Sequence, residues 1–186
     1  MKKCLLANSL LMIVLFFMSS AFANDRPTIT FNGQKFYLAR AHYETDHTHS
    51  PVNVVEKYFP EGENSDNYTK MIERITYLQI TDYKPSMKAR LAEYQEDNKN
   101  IPFEEIVEPN KSILNVSFWW PFRPNTVYKM VYVFQEDKQA KRAMSYVVTE
   151  LQFFDANKTT NEELVKQASS LLLGGEVVKA ASQLSF

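Results

Sequence analysis

Polar and apolar residues alternate through Thr28-Ile29-Thr30-Phe31, break at Asn32-Gly33, and alternate again from Gln34 to Tyr43. Asn-Gly suits a two-residue hairpin turn, whose central positions need positive φ. The pattern therefore predicts an opening β-hairpin, with Phe36 and Leu38 facing one way and Tyr37 and Ala39 the other. Thr45 to Pro51 is polar and reads as a loop. Val52 to Phe59 is β-branched and aromatic, ends at Pro60-Glu61-Gly62-Glu63, and reads as the next strand.

Tyr68, Met71, Ile72 and Ile75 follow at i, i+3, i+4 and i+7, with Ser65 or Asp66 available as a cap. That spacing predicts a short helix, although Ile75 to Ile80 is strand-like in itself. Pro85-Ser86 opens a second helical segment to about Asp97, with Met87, Leu91 and Tyr94 on one stripe. Strand patterns then run over Phe103 to Glu108, Ser112 to Trp120, Thr126 to Phe134 and Lys141 to Leu151. Their short, turn-prone connections imply antiparallel neighbours.

Thr160-Asn161-Glu162-Glu163 has the form of a capping box. Leu164, Val165, Ala168, Leu171 and Leu172 then give an apolar face up to Gly174-Gly175, and Glu176 to Leu184 reads as a second short helix with Val177, Val178, Ala181 and Leu184 on one side. The expected fold class is α+β: a mainly antiparallel sheet of about five to seven strands with helices packed on it. Helices 85–97 and 160–173 are expected to dock through Met87, Leu91, Tyr94, Leu164, Ala168 and Leu171.

Ahead of this pattern stand Lys2 and Lys3, then the apolar run Leu10 to Met18, then Ala21-Phe22-Ala23. This is the layout of a cleavable signal peptide over residues 1–23, with the mature chain opening at Asn24. The run is shorter than the roughly 20 residues a membrane-spanning helix needs. The expected address is periplasmic or secreted, with no stable membrane insertion after cleavage. The only cysteine, Cys4, leaves with the signal, so no disulfide, thiolate site or cysteine nucleophile is expected in residues 24–186. The sequons at Asn67, Asn115 and Asn157 read as chance matches in a bacterial-type chain.

Removing residues 1–23 from the 186 leaves 163 residues, enough for one domain with a single core. Lys2 and Lys3 are lost, so 19 basic residues face 22 acidic ones, a balance of −3 that offers nothing to nucleic acid. No repeat, low-complexity tract or Pro/Gly linker divides the chain.

Tyr58-Phe59-Pro60-Glu61-Gly62-Glu63 followed by Asn67-Tyr68-Thr69-Lys70-Met71-Ile72 resembles small exported or lipid-anchored bacterial proteins of uncharacterised families. Those are similar to the PsbP, Mog1 and DcrB type of α/β/α sandwich. The resemblance covers about Tyr58 to Leu173, and Tyr68 stands where such proteins often show Trp. It implies that sandwich as the fold, with a cystatin-like or NTF2-like curved sheet as the other arrangement. Accessory or binding roles are what it implies for function, and a fold-level likeness carries no reaction across.

Two windows could carry chemistry. His42, His47 and His49 lie with Glu44 and Asp46 in one stretch; in an extended loop His47 and His49 share a side, and His42, Asp46, His47 and His49 are suitable ligands for zinc or copper. The alternative is a solvated loop that binds nothing specific. Phe118-Trp119-Trp120-Pro121-Phe122-Arg123-Pro124 gathers both tryptophans at a strand end. Trp119, Trp120, Phe122 and Arg123 would form a rim for a protein, peptide or small apolar ligand, joined or not by the Tyr58 to Glu63 turn. Against that, large aromatics at a strand end commonly belong to the core. No Gly-X-Ser-X-Gly elbow or comparable motif is present. The expectation is a non-enzymatic exported envelope protein with an accessory or binding role and no cofactor; a metal-binding protein or metal-dependent enzyme built on His42 to His49 is the alternative.

Overall fold

Asn32 and Gly33 hold φ of 47° and 76°, and the turn they make closes strand β1 (Thr28–Phe31) onto β2 (Gln34–Thr45). This feature, like those below, comes from a computed structural model that describes residues 26–97, 103–119, 125–155 and 157–184. The proposed signal segment and Trp120, Phe122 and Arg123 lie outside the described residues. Six further strands follow: β3 (Pro51–Pro60), β4 (Lys70–Tyr77), β5 (Phe103–Glu108), β6 (Lys111–Trp119), β7 (Thr126–Asp137) and β8 (Arg142–Phe153). Three helices complete the list: α1 (Lys84–Asp97), α2 (Asn161–Ala168) and α3 (Gly175–Ser182).

The eight strands form one sheet in the order β1-β2-β3-β4-β8-β7-β6-β5, every pairing antiparallel. The chain is α+β. Two four-stranded meanders meet where β4 pairs with β8, Lys70 opposite Glu150 and Tyr77 opposite Ala143.

The helices cover both faces of this sheet. On one, Leu173 and α3's Val178 and Ala181 join Ile113, Val131, Val133, Tyr146 and Val148, with Ile72, Tyr58 and Phe36 further along. On the other, α1 lies with Leu91 and Tyr94 among Leu114, Val116, Met130 and Tyr132, while Met87 and Tyr83 meet Phe134 and Ala143. The stripe Met87, Leu91 and Tyr94 packs as its spacing predicts.

Three expectations need correction. Residues 70–77 are strand β4, not helix, and they bring the strand count to eight. Neighbouring Met71 and Ile72 are 7% and 0% exposed because both sides of the sheet are covered there. A strand buried on both faces loses its two-residue alternation and can imitate helical spacing.

The helix expected over 160–173 stops at Ala168, and Gly174 is the N-cap of α3. The capping box itself forms: Thr160 Oγ1 accepts from the Glu163 N–H at 3.2 Å, and the Thr160 N–H donates to Glu163 Oε2 at 2.8 Å. At the helix end Ser169 and Ser170 donate their hydroxyls back to the Lys166 and Gln167 carbonyls, and the sheet holds the segment that follows. Ser117, fully buried on β6, donates its hydroxyl to the Ala168 carbonyl, and Asn115 donates Nδ2–H to the Leu173 carbonyl at 2.9 Å.

The third correction follows from the second. Leu171 is only half-buried, and Leu173, 5% exposed, is the residue the core takes instead. Val165, expected on the apolar face, is 39% exposed.

Candidate functional site

Pro60-Glu61-Gly62-Glu63 forms a tight turn in which the Glu63 N–H donates to the Pro60 carbonyl at 3.1 Å and Gly62 holds a φ of 83°. A side chain at Gly62 would be strained by that angle. Glu63 then ties the turn to the start of β4. Its Oε2 accepts from the N–H groups of Thr69 at 2.7 Å and Lys70 at 3.2 Å, and its Oε1 accepts from the Thr69 hydroxyl at 2.7 Å.

This braced turn walls one side of a recess of about 170 Å³, lined by Arg26, Tyr37, Ala39, Phe59, Pro60, Glu61, Gly62 and Glu63. Tyr37 and Phe59 are partners across β2 and β3 and so present their rings on the same face. Phe59 is 2% exposed and rests against Tyr68, ring centroids 5.5 Å apart. Arg26 stands over the Tyr37 ring at 5.8 Å from its centroid. The recess therefore offers an aromatic floor, one cation held by a ring face, and two carboxylates at the rim, both oxygens of Glu63 being already bonded to Thr69 or Lys70.

Sequence reasoning flagged the Tyr58 to Glu63 turn but not Arg26 or Tyr37. The usable signal was the outward alternation of Tyr37, which becomes informative only once β2 is placed beside β3.

The histidine window divides. His42 sits on β2 opposite Val55, with Nδ1 buried and without a hydrogen-bond partner among the described residues. His47 and His49 are exposed in the turn between β2 and β3, and His49 holds a φ of 63°, so the alternation that would align them is absent. Asp46 spends its Oδ1 on that turn, accepting from the Thr48 N–H at 2.8 Å, the Thr48 hydroxyl at 2.6 Å and the Ser50 N–H at 3.1 Å. These bonds, the Thr48 hydroxyl foremost, hold its carboxyl below the ordinary value. Among the described residues no three His, Cys, Asp or Glu side chains gather where they could hold a metal ion.

Trp119 ends β6 opposite Val127, in a cluster with Leu164, Ala168 and Phe154; its indole N–H is buried and has no acceptor among the described residues. The Tyr58 to Glu63 turn lies on β3, four strands away in the sheet order. The two are separate sites.

A polar network occupies the face that α3 covers. Arg74 Nε donates to Glu56 Oε2 at 2.5 Å, Tyr58 donates to Glu56 Oε1 at 3.3 Å, and the guanidinium stands 6.0 Å from the Tyr58 ring centroid. Burial raises the Tyr58 hydroxyl to about 12, with Arg74 pulling the other way. No helix among the described residues is long and apolar enough to cross a membrane.

The model of an uncharacterised protein family matches residues 24–121, more than half of the chain. No curated protein and no solved structure matches.

Proposed function

Because the chain belongs to this uncharacterised family, we propose a function from its own chemistry: a non-enzymatic accessory or binding protein, exported to the cell envelope, that takes an anchor group of a protein or peptide partner in the Arg26–Tyr37–Phe59 recess. The observation that carries this reading is the recess itself, an aromatic floor beside a ring-held guanidinium and two carboxylates, walled by a turn braced through Glu63. Such a site recognises a flat or aliphatic group with charge at its edge. At about 170 Å³ it has room for one side chain or a chain terminus rather than a polymer. A preformed wall lowers the ordering cost of binding.

The charged n-region and short apolar run ahead of Asn24 support export. Element order and helices on both faces of the sheet support an arrangement of the PsbP and Mog1 kind. The metal alternative gains no support from Asp46, whose carboxylate is taken up by its own turn.

Ligand-observed NMR of the purified protein with free amino acids and short peptides tests the reading. Saturation transfer from the protein to an aromatic or branched residue is expected, lost in Tyr37→Ala and inverted in charge preference by Arg26→Glu. Transfer that survives Tyr37→Ala would remove the recess from the proposal.

A further inference from the structure

Strand β2 runs for 12 residues but β1 for only 4. The β1 ladder covers Gln34 to Tyr37 and closes with the Leu38 N–H on the Pro27 carbonyl, and a bulge follows at Ala39. Beyond it, no strand among the described residues lies on the outer side of Arg40 to Thr45.

Which backbone groups face outward follows from β3. The Val52 carbonyl accepts from the Leu78 N–H and so faces away from β2. By alternation Asn53, Val55 and Lys57 face β2, where their partners are Glu44, His42 and Arg40. Ala41 and Tyr43 consequently turn their N–H and C=O groups to the open side. The Tyr43 side chain is 65% exposed, the second most exposed large apolar side chain described.

Arg40-Ala41-His42-Tyr43-Glu44 is complementary to itself when reversed. We propose that this edge is a homodimer interface, two copies pairing β2 antiparallel about a two-fold axis at His42. Ala41 and Tyr43 of each copy exchange backbone hydrogen bonds with Tyr43 and Ala41 of the other. Arg40 faces Glu44 of the second copy, twice by symmetry. Both charged pairs fall at non-hydrogen-bonded positions, where opposite side chains come closest.

Glu44 is positioned for this contact, since Asn53 donates Nδ2–H to its Oε2 at 2.8 Å. A slip of two residues either way takes Arg40 off Glu44, and a parallel in-register pairing would set like charges together, so the charge order selects one alignment. Exposed edges ordinarily discourage pairing; here the bulge at Ala39 and the turn at Asp46 confine it to five residues. The interface uses Arg40 to Glu44 and none of the residues that line the recess, which reaches only to the bulge residue Ala39.

Sedimentation equilibrium of the purified protein tests this. A concentration-dependent dimer is expected; Arg40→Glu or Glu44→Arg alone should weaken it about tenfold or more, and the two together should restore it to within about threefold. A species monomeric at every concentration, a dimer indifferent to the single changes, or a double variant no tighter than the singles would overturn the proposal. Should a charge variant fail to fold by circular dichroism, His42→Cys with Cys4→Ser decides. Opposed Cα atoms in such a pair lie about 4.5 Å apart, within disulfide range, so oxidation should give a covalent dimer, and a chain that stays monomeric after oxidation counts against the interface.

Discussion

Ser117 reaches from β6, the strand next to the sheet edge, to donate its hydroxyl to the Ala168 carbonyl at the point where helix α2 stops. Asn115, two residues back, does the same for Leu173 at 2.9 Å. Both side chains are fully buried, and the intervening Val116 faces the α1 side. The Asn-X-Ser pattern that reads as a glycosylation sequon is in this fold a clamp on the segment between two helices.

Losing Asn115 leaves the Leu173 carbonyl in the interior without that donor, which costs about 1–3 kcal/mol, whereas the Ala168 carbonyl keeps the Leu171 N–H at 3.4 Å. Asn115→Ala is expected to lower unfolding free energy by about 2 kcal/mol, measured by urea denaturation. Ser117→Ala should cost less, because the Leu171 N–H stays on the Ala168 carbonyl. If both were silent, the sheet bonds would not be what holds the segment between α2 and α3.

Tyrosine ionisation gives a pH test. Burial raises Tyr58, Tyr94 and Tyr132 to about 12 from an ordinary value of 10. Their neutral forms are favoured by folding, so this contribution is complete below pH 10 and is lost as pH rises toward 12. Absorbance titration at 295 nm should show a late fraction of tyrosines that ionise together with loss of the circular dichroism signal. In 6 M guanidinium chloride (about 6 M, well above ordinary midpoints) all should ionise near the ordinary value.

At the β2–β3 turn the sign is reversed. Asp46 is held below its ordinary value by the Thr48 hydroxyl and the Ser50 N–H. Its contribution is therefore present above that value and disappears as pH falls through the lowered one. Asp46→Ala should melt earlier than the parent at pH 7 and indistinguishably from it in strong acid. A gap that persists in acid would mean that the carboxylate charge is not what orders the turn.

Trp119 separates packing from recognition. It is half-buried and its ring belongs to the cluster of Val127, Leu164 and Ala168. Trp119→Ala is expected to cost about 2 kcal/mol, below the full cost of removing a buried aromatic. An unchanged melting temperature would return Trp119 to the surface role that its sequence context suggests.

Much of this architecture is legible in local patterns. The Asn32-Gly33 hairpin, the α1 stripe of Met87, Leu91 and Tyr94, the span Phe103–Glu108 and the Thr160–Glu163 box all depend on residues close in sequence. Residues 70–77 mislead because burial on both sides erases their alternation, and Leu171 misleads because the Ser117 hydroxyl that holds the end of its helix sits 51 residues from Ala168. The recess is assembled from β2, β3, the turn that follows β3 and a residue two positions before β1, and none of Arg26, Tyr37 or Phe59 signals it alone. Of the residues picked out as candidate chemistry, Trp119 and the histidine window fall at two separate places in the sheet.

The seam between the two meanders sets an order on how the chain must fold. Each meander is assembled from neighbours in sequence, but β4 and β8 meet across 80 residues at the Lys70–Glu150 pair. Closing so long a loop is slow relative to forming hairpins. Until β8 arrives, Lys70–Tyr77 waits as an open edge with apolar residues on both sides. That interval, rather than any weakness of the finished fold, is when a nascent chain is most exposed to sticking to another copy of itself.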